Sequence, residues 1–337
     1  MQSIQKKINL LKPADGAEVS LMCCNWREIL VERSLREIKA DTEADCYDRA
    51  DYPAAVEFSW DRPVNGVLEI AADENFAQIV KNIAVSGSSA EVYNLEIARE
   101  YFWRVAEENE FSPIQRFSTA GDTPRMIKVP GTRPVNIRDA GGKMTLSGQR
   151  TRQGMIYRGS EVNGYYIAEA ESIAFMLDEL GICSDLDLRY TIQTEPHDNS
   201  PLEPAARWVK YPVNAYNSFT DEQNELFCDT IRFFADKANY PIYVHCAGGS
   251  DRTGEIVFLL DMLLNVSEES AFIDYELSSM SYFPRIRTID YLQEYLSTIE
   301  SMSPPGTTRQ EQVVNYLMKI GVSKEEIESI RNIMVEK

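Results

Sequence analysis

Cys246 and Arg252 stand six residues apart in Val244-His-Cys-Ala-Gly-Gly-Ser-Asp-Arg-Thr-Gly254. A short apolar strand, Pro241–His245, leads into this run, and a helix is expected to begin near Asp251. A small-residue loop that feeds a helix N-terminus turns several backbone N–H groups toward one spot, and the helix dipole adds positive potential there. Gly248 and Gly249 let the backbone curl with no side chain in the way. A cysteine at the mouth of such a nest, facing an arginine, is favoured as the thiolate, with its pKa drawn from about 8.5 into the range of roughly 3.5–7.5. A thiolate there can attack a phosphate monoester and form a cysteinyl phosphate. Arg252 offers a planar fork for two phosphate oxygens, Ala247, Gly248, Gly249 and Ser250 line the nest, and the Thr253 hydroxyl can donate to the thiolate. His245 fits a structural hydrogen-bonder that shapes the loop better than a base.

Strands alternating with helices must position this loop, which implies an α/β sheet. Helices are expected over 167–180, 221–237 with Thr220 as N-cap, 254–264, 268–279, 287–301, 308–320 and 323–335, and a strand over 182–188. Ser323-Lys-Glu-Glu326 reads as a capping box and Gly321 as a helix stop.

Residues 1–122 differ in character. Short alternating strands are expected over 53–60, 67–71, 100–106 and 113–119, with a turn at Asp61-Arg-Pro63, which predicts a β-sandwich. Apolar residues at 26, 29, 30, 31, 35 and 38 fit a helical insertion. Trp60, Trp103 and Trp208 read as core. A turn-rich linker, Gly121–Pro124, separates this part from residues 126–337.

The Cys-x5-Arg-Thr run resembles the signature of the protein tyrosine phosphatase superfamily. More narrowly, HCAGGSDRTG is similar to the HCxxGKDRTG loop of the bacterial tyrosine/dual-specificity phosphatases. Asn136-Ile-Arg-Asp-Ala-Gly-Gly142, Tyr157-Arg-Gly-Ser160, Asp187-Leu-Arg189 with Glu195, and Asp274-Tyr275 resemble that family's other motifs in order, over residues 126–337. The resemblance implies a tyrosine-phosphatase-like sheet flanked by helices, a protein tyrosine phosphatase activity without cofactor or metal, and Asp251 as general acid. Asp187 and Asp139 are the alternative acids, and Arg138 and Asp139 the alternative loop anchors. Ser250 stands where the family carries lysine, which removes a positive charge beside the phosphate. Dual-specificity, phosphoinositide and inositol phosphate substrates remain open, as does a non-catalytic phosphate-binding role. Phe58-Ser-Trp60, Tyr101-Phe-Trp103 and Phe117-Ser-Thr119 resemble a fibronectin type III domain.

With 34 basic against 53 acidic residues, the net charge of −19 repels nucleic acid and anionic membranes. The expected partners are a phosphorylated protein or small phosphate ester, with inorganic phosphate as product. No segment has the apolar length of a membrane span. Cys23, Cys24, Cys46, Cys183, Cys228 and Cys246 show no paired framework and no CxxC pattern. A reduced, cytoplasmic setting is expected, or a secreted or cell-surface one if a signal peptide has been trimmed.

Overall fold

In the computed structural model, described over residues 7–22, 53–108, 110–121, 123–216, 219–281 and 287–337, the chain forms two compact units. The first comprises Met1–Cys23 with Pro53–Arg125, and the second Cys24–Tyr52 with Met126–Lys337. The helix expected near 25–38 lies outside the described residues.

The first unit is all β: β1 (Leu10–Lys12), β2 (Ala17–Val19), β3 (Val56–Ala71), β4 (Ile79–Val92), β5 (Glu100–Glu107), β6 (Glu110–Phe111) and β7 (Gln115–Thr119). The turn expected at Asp61–Pro63 is absent. β3 runs through it as one strand of 16 residues, with a register shift against β4 between Ser59 and Val64. Proline has no N–H for the ladder, and a bulge is where a strand accommodates one. β4, which its serines and Gly87 hid from the sequence, pairs with both halves of β3. The first half of β3 also pairs with β1 and the second half with β5. Alternating residues of β3, β5 and β7 are turned inward, and Phe58 meets Trp103 edge-on at 4.9 Å and Phe117 at 5.5 Å. Fully burying side chains of this size stabilises by roughly 2–3 kcal/mol each.

The second unit holds a five-stranded sheet in the order β11 (Arg207–Lys210), β10 (Ser184–Asp187), β12 (Ile242–His245), β9 (Ile156–Gly159), β8 (Arg138–Asp139). Only β8 is antiparallel to its neighbour. The helices are α1 (Ala170–Asp178), α2 (Thr191–Thr194), α3 (Asp221–Phe233), α4 (Asp251–Leu263), α5 (Glu268–Glu276), α6 (Asp290–Ser301), α7 (Arg309–Lys319) and α8 (Lys324–Met334). This is the mixed α/β architecture expected for 126–337. Every residue of α4 from Arg252 to Leu263 is buried. A helix covered on all sides is a fixed platform, and the loop before it inherits that rigidity.

The helix bounds differ from expectation where side chains compete for the backbone. α1 starts at Ala170 because Ala168 N–H donates to Val162 O, which holds residues 163–168 in a separate turn. α3 stops at Phe233, and the Asp236 carboxylate accepts from Ala238 N–H to form a short 3₁₀ turn instead. Thr220 caps α3, Ser323 closes a capping box on α8 as expected, and Thr308 closes another on α7. Among the described residues no helix is long and apolar enough to cross a membrane.

Candidate active site

β12, in the middle of the sheet, delivers Cys246 at its carboxyl end, and α4 begins five residues later. Ligands of parallel sheets bind at such carboxyl ends. The carbonyls of the intervening loop are turned outward and occupied. Ala247 O accepts from Glu161 N–H at 3.1 Å, Gly248 O from Asn136 Nδ2 at 3.1 Å, and Gly249 O from Arg158 Nη2 at 2.8 Å. Because each peptide's N–H opposes its carbonyl, the amides face the other way. No amide from Ala247 to Arg252 donates to another described group. A set of convergent, unsatisfied N–H groups at a buried loop calls for an anion. Gly249 has φ +67°, and a Cβ there would stand 2.2 Å from Gly159 O. Glycine is therefore required, both by conformation and by space.

Cys246 is 2% exposed. Burial alone would push its thiol up. The Arg252 charge and the hydroxyl and amide of Thr253 outweigh it, and the thiol is held below its usual value. The Thr253 hydroxyl is buried and has no nitrogen or oxygen partner among the described residues, which leaves it for the sulfur. Arg252 lies 8% exposed and anchors one nitrogen, Nη1, on Leu188 O at 3.2 Å and Gln193 Oε1 at 3.0 Å.

The structure brings Cys246, Ala247, Gly248, Gly249, Ser250, Arg252, Thr253 and Asp251 to one loop and helix end. Asp251, its side chain 33% exposed, has both oxygens engaged. Arg287 grips it with Nε and with Nη2 (2.9 Å), and Tyr216 donates its hydroxyl at 2.6 Å. Asp187 is fully buried at the end of β10 and bound by Arg189 at 2.7 Å and by the Trp208 indole at 3.1 Å. Burial by itself would raise the Asp187 carboxyl, but His245 and Arg189 prevail and hold it below the usual carboxylate range. Trp208, expected in the core, is half-buried because its N–H serves this carboxylate. Asp139 accepts from Gly141 N–H at 2.8 Å and Gly154 N–H at 2.6 Å, which pins the 140–154 turn.

Arg138 anchors the loop, with Asp274 as its acidic partner at 2.6 Å rather than its chain neighbour Asp139. Adjacent strand residues point to opposite faces, so the two side chains serve different neighbours. Asp274 also binds Arg158 at 2.7 Å, and Arg138 holds the Asn136 side chain at 2.6 Å. Asn136 and Arg158 are the groups that take the Gly248 and Gly249 carbonyls, so one buried carboxylate fixes the curvature of the loop. His245 lies fully buried behind it, with Nε2 2.9 Å from Asp185 and Nδ1 3.2 Å from Cys246 O. Burial opposes its protonation, but Asp187 and Asp185 raise it to about 9.

Sequence reading missed Gln193, Tyr190, Tyr216 and Arg287. Tyr190 and Gln193 lie inside the Asp187–Glu195 motif run without having been singled out, whereas Tyr216 and Arg287 stand at no motif spacing and reach the loop only through the fold. It also missed Glu255, fully buried one turn into α4, whose carboxyl burial pushes up to about 8 against the opposing Tyr216 amide and Tyr295 hydroxyl. A carboxyl raised above its ordinary value of 4.5 contributes stability that is complete below that value and is lost as pH rises through 8. Glu255→Gln keeps an acceptor for Tyr216 N–H (3.0 Å) but cannot ionise. Its urea stability is expected to match the wild type near pH 4.5 and exceed it above pH 8. Parallel curves across that range would show that Glu255 does not titrate there.

A model of the tyrosine phosphatase family matches residues 129–336. A Cupriavidus necator protein named "Putative tyrosine-protein phosphatase" is 26% identical over 171 residues, covering 42% of this chain and 59% of that one. The chain thus spans less than two-thirds of the length of this curated relative. Two structures of the catalytic core of Siw14, a PP-IP phosphatase of S. cerevisiae, are each 21% identical. One, in complex with citrate, has a TM-score of 0.32 over 43% of this chain and 83% of that one; the other has 0.31 over 42% and 78%. Likenesses that distant say nothing of activity. The family match runs unbroken through the cysteine–arginine loop, the strand that carries it and the helices behind it, and covers more than half of the sequence: the chain belongs to the tyrosine phosphatase family.

Proposed function

We propose that the chain hydrolyses phosphate monoesters through a cysteinyl-phosphate intermediate, with phosphotyrosine as the leading substrate class. The observation that carries this is the pairing of a thiol held below its usual value with a loop whose amides from Ala247 to Arg252 have no partner among the described residues. The Cys246 thiolate attacks phosphorus, the P–O bond to the leaving group breaks, and the leaving oxygen takes a proton. Water then attacks phosphorus, gives up a proton, and the S–P bond breaks to release inorganic phosphate. Arg252 and the loop amides hold the equatorial oxygens throughout. No metal or cofactor is needed for either step.

Asp251 is the proton donor and acceptor in this scheme. It alone of the three candidate aspartates sits on the loop and reaches solvent. Donation requires it to exchange the Arg287 contact for the leaving oxygen. Asp187 and Asp139 are locked to Arg189 and to backbone amides, which suits support rather than proton transfer.

Aryl esters are favoured over multiply charged ones by the charge inventory. Among the described residues Arg138, Arg158, Arg189 and Arg287 each face a carboxylate, and Ser250 adds no charge. Within this reading the loop belongs to the HCxxGxDRTG branch of the family, residues 126–337 form the catalytic domain, and residues 1–122 form a fibronectin type III-like module.

The test is to mix the enzyme with a ³²P-labelled aryl phosphate and quench in acid within one turnover. Label is expected on the peptide that contains Cys246 and on no other. Turnover without any labelled peptide would sink the two-step mechanism. Phosphopeptide binding with no hydrolysis at any pH would point to a phosphate reader instead.

A further inference from the structure

The segment after β10 also holds Arg252. Gln193 Oε1 accepts from Arg252 Nη1 at 3.0 Å and is itself fixed by Tyr190 N–H at 3.1 Å. Leu188 O takes the same Arg252 nitrogen at 3.2 Å. The Tyr190 ring lies against the guanidinium, with its centroid 4.2 Å from Cζ, and the residue is 40% exposed. One nitrogen of the fork is therefore tied down and one face is covered. Among the described residues Nε and Nη2 carry no hydrogen bond, and these are the two parallel donors that a bidentate contact with phosphate uses.

In an in-line displacement the leaving oxygen lies opposite the attacking sulfur. With Cys246 at the floor of the loop, the leaving group emerges at the mouth, beside the lip that Arg252 forms. The exposed part of the Tyr190 ring stands at that lip. We propose that Tyr190 is a specificity-determining residue that selects esters with a flat aromatic leaving group, and that Gln193 is a positioning residue that aims the Arg252 fork. This rests on the Cys246 reaction proposed above. An aryl group leaving past Tyr190 finds a ring to stack on, whereas a puckered alkyl group gains only contact area. Gln193 acts through Arg252 and touches no substrate atom.

The experiment compares kcat/KM for phenyl phosphate and cyclohexyl phosphate, with inorganic phosphate as a competitive inhibitor. Tyr190→Leu is expected to lower the phenyl-to-cyclohexyl ratio about three- to tenfold, the range of an aromatic pair. Tyr190→Phe is expected to keep the ratio. Gln193→Met is expected to raise the inhibition constant of phosphate about tenfold, the weight of a hydrogen bond to a charged group, with the ratio unchanged. In an Arg252→Lys background the Gln193→Met effect should shrink below about twofold, since lysine has no fork to aim. Equal falls for both esters in Tyr190→Leu would overturn the specificity assignment. An unchanged phosphate constant in Gln193→Met, or an undiminished effect in the Arg252→Lys background, would overturn the positioning assignment. Cys246→Ser is assayed alongside. If it still turns over, the underlying reaction is wrong. If it is inactive and the other variants behave like wild type, only the present inference fails.

Discussion

Cys246→Ser is expected to lower turnover of an aryl phosphate by roughly four to six orders of magnitude, the scale seen when a covalent nucleophile is removed. The substitution exchanges one atom for a smaller one in a site that is 2% exposed, so the fold and the loop amides are retained. What changes is the anion. The Arg252 charge and the Thr253 hydroxyl and amide can bring a thiol below its usual value against the penalty of burial. The same surroundings cannot ionise an alcohol near neutral pH, because a hydroxyl starts many units higher. Binding should therefore survive while chemistry stops. Inorganic phosphate is expected to bind Cys246→Ser about as tightly as the wild type, or more tightly, since the thiolate no longer repels it. Steady-state assays and calorimetric titration with phosphate check the two halves. Turnover within tenfold of wild type would remove Cys246 from the mechanism, and lost binding together with lost turnover would mean that the loop itself had collapsed.

The second large effect is expected at a residue that touches no substrate. Asp274 lies between the fully buried guanidinium groups of Arg138 and Arg158, at 2.6 and 2.7 Å, with Lys143 3.6 Å away. Burial alone would raise this carboxyl, but the three cations hold it far below the usual carboxylate range. Asp274→Asn leaves Arg138 and Arg158 without a carboxylate partner in a place that water does not reach, while Lys143 keeps Asp261 at 2.6 Å. Breaking one partner of a buried ion pair costs about 3–5 kcal/mol. The loss should appear as a lower urea midpoint with an unchanged slope. Activity should fall as well, because Arg158 holds Gly249 O at 2.8 Å and Arg138 steadies the Asn136 side chain that holds Gly248 O. A second substitution, Arg138→Met, should recover part of the stability by removing one of the stranded charges. A midpoint within about 0.5 kcal/mol of wild type for Asp274→Asn would mean that the cluster is not the keystone of the loop. The sign with pH follows from the depressed value. Stability from Asp274 is complete above the ordinary carboxylate range and is lost only as pH falls far below it.

The sequence determined the chemistry-bearing loop and the elements on either side of it. Local rules suffice there: a strand end, two glycines, a helix start and a six-residue cysteine–arginine spacing are all contained within eleven residues. The capped helices at Thr220 and Ser323 were legible for the same reason, since a cap is a bond between neighbours in the chain. The course of β3 was not. Asp61-Arg-Pro63 is a turn by composition, and only pairing with β4 and β1 on its flanks keeps the strand extended through it. Tertiary structure alone decided the partners of the charged residues. Asp139 and Arg138 are neighbours in sequence and serve opposite faces of β8, while Arg138 and Asp274 are 136 positions apart and in contact. The same holds for Asp251, whose grip by Arg287 and Tyr216 depends on three segments meeting, and for Arg252, whose guanidinium meets the Gln193 side chain and the Tyr190 ring from the segment after β10. Motif spacing records what a short loop can do by itself. Which ion pairs hold that loop in shape, and which side chains stand at its mouth, is set by packing between distant segments, and no local pattern encodes it.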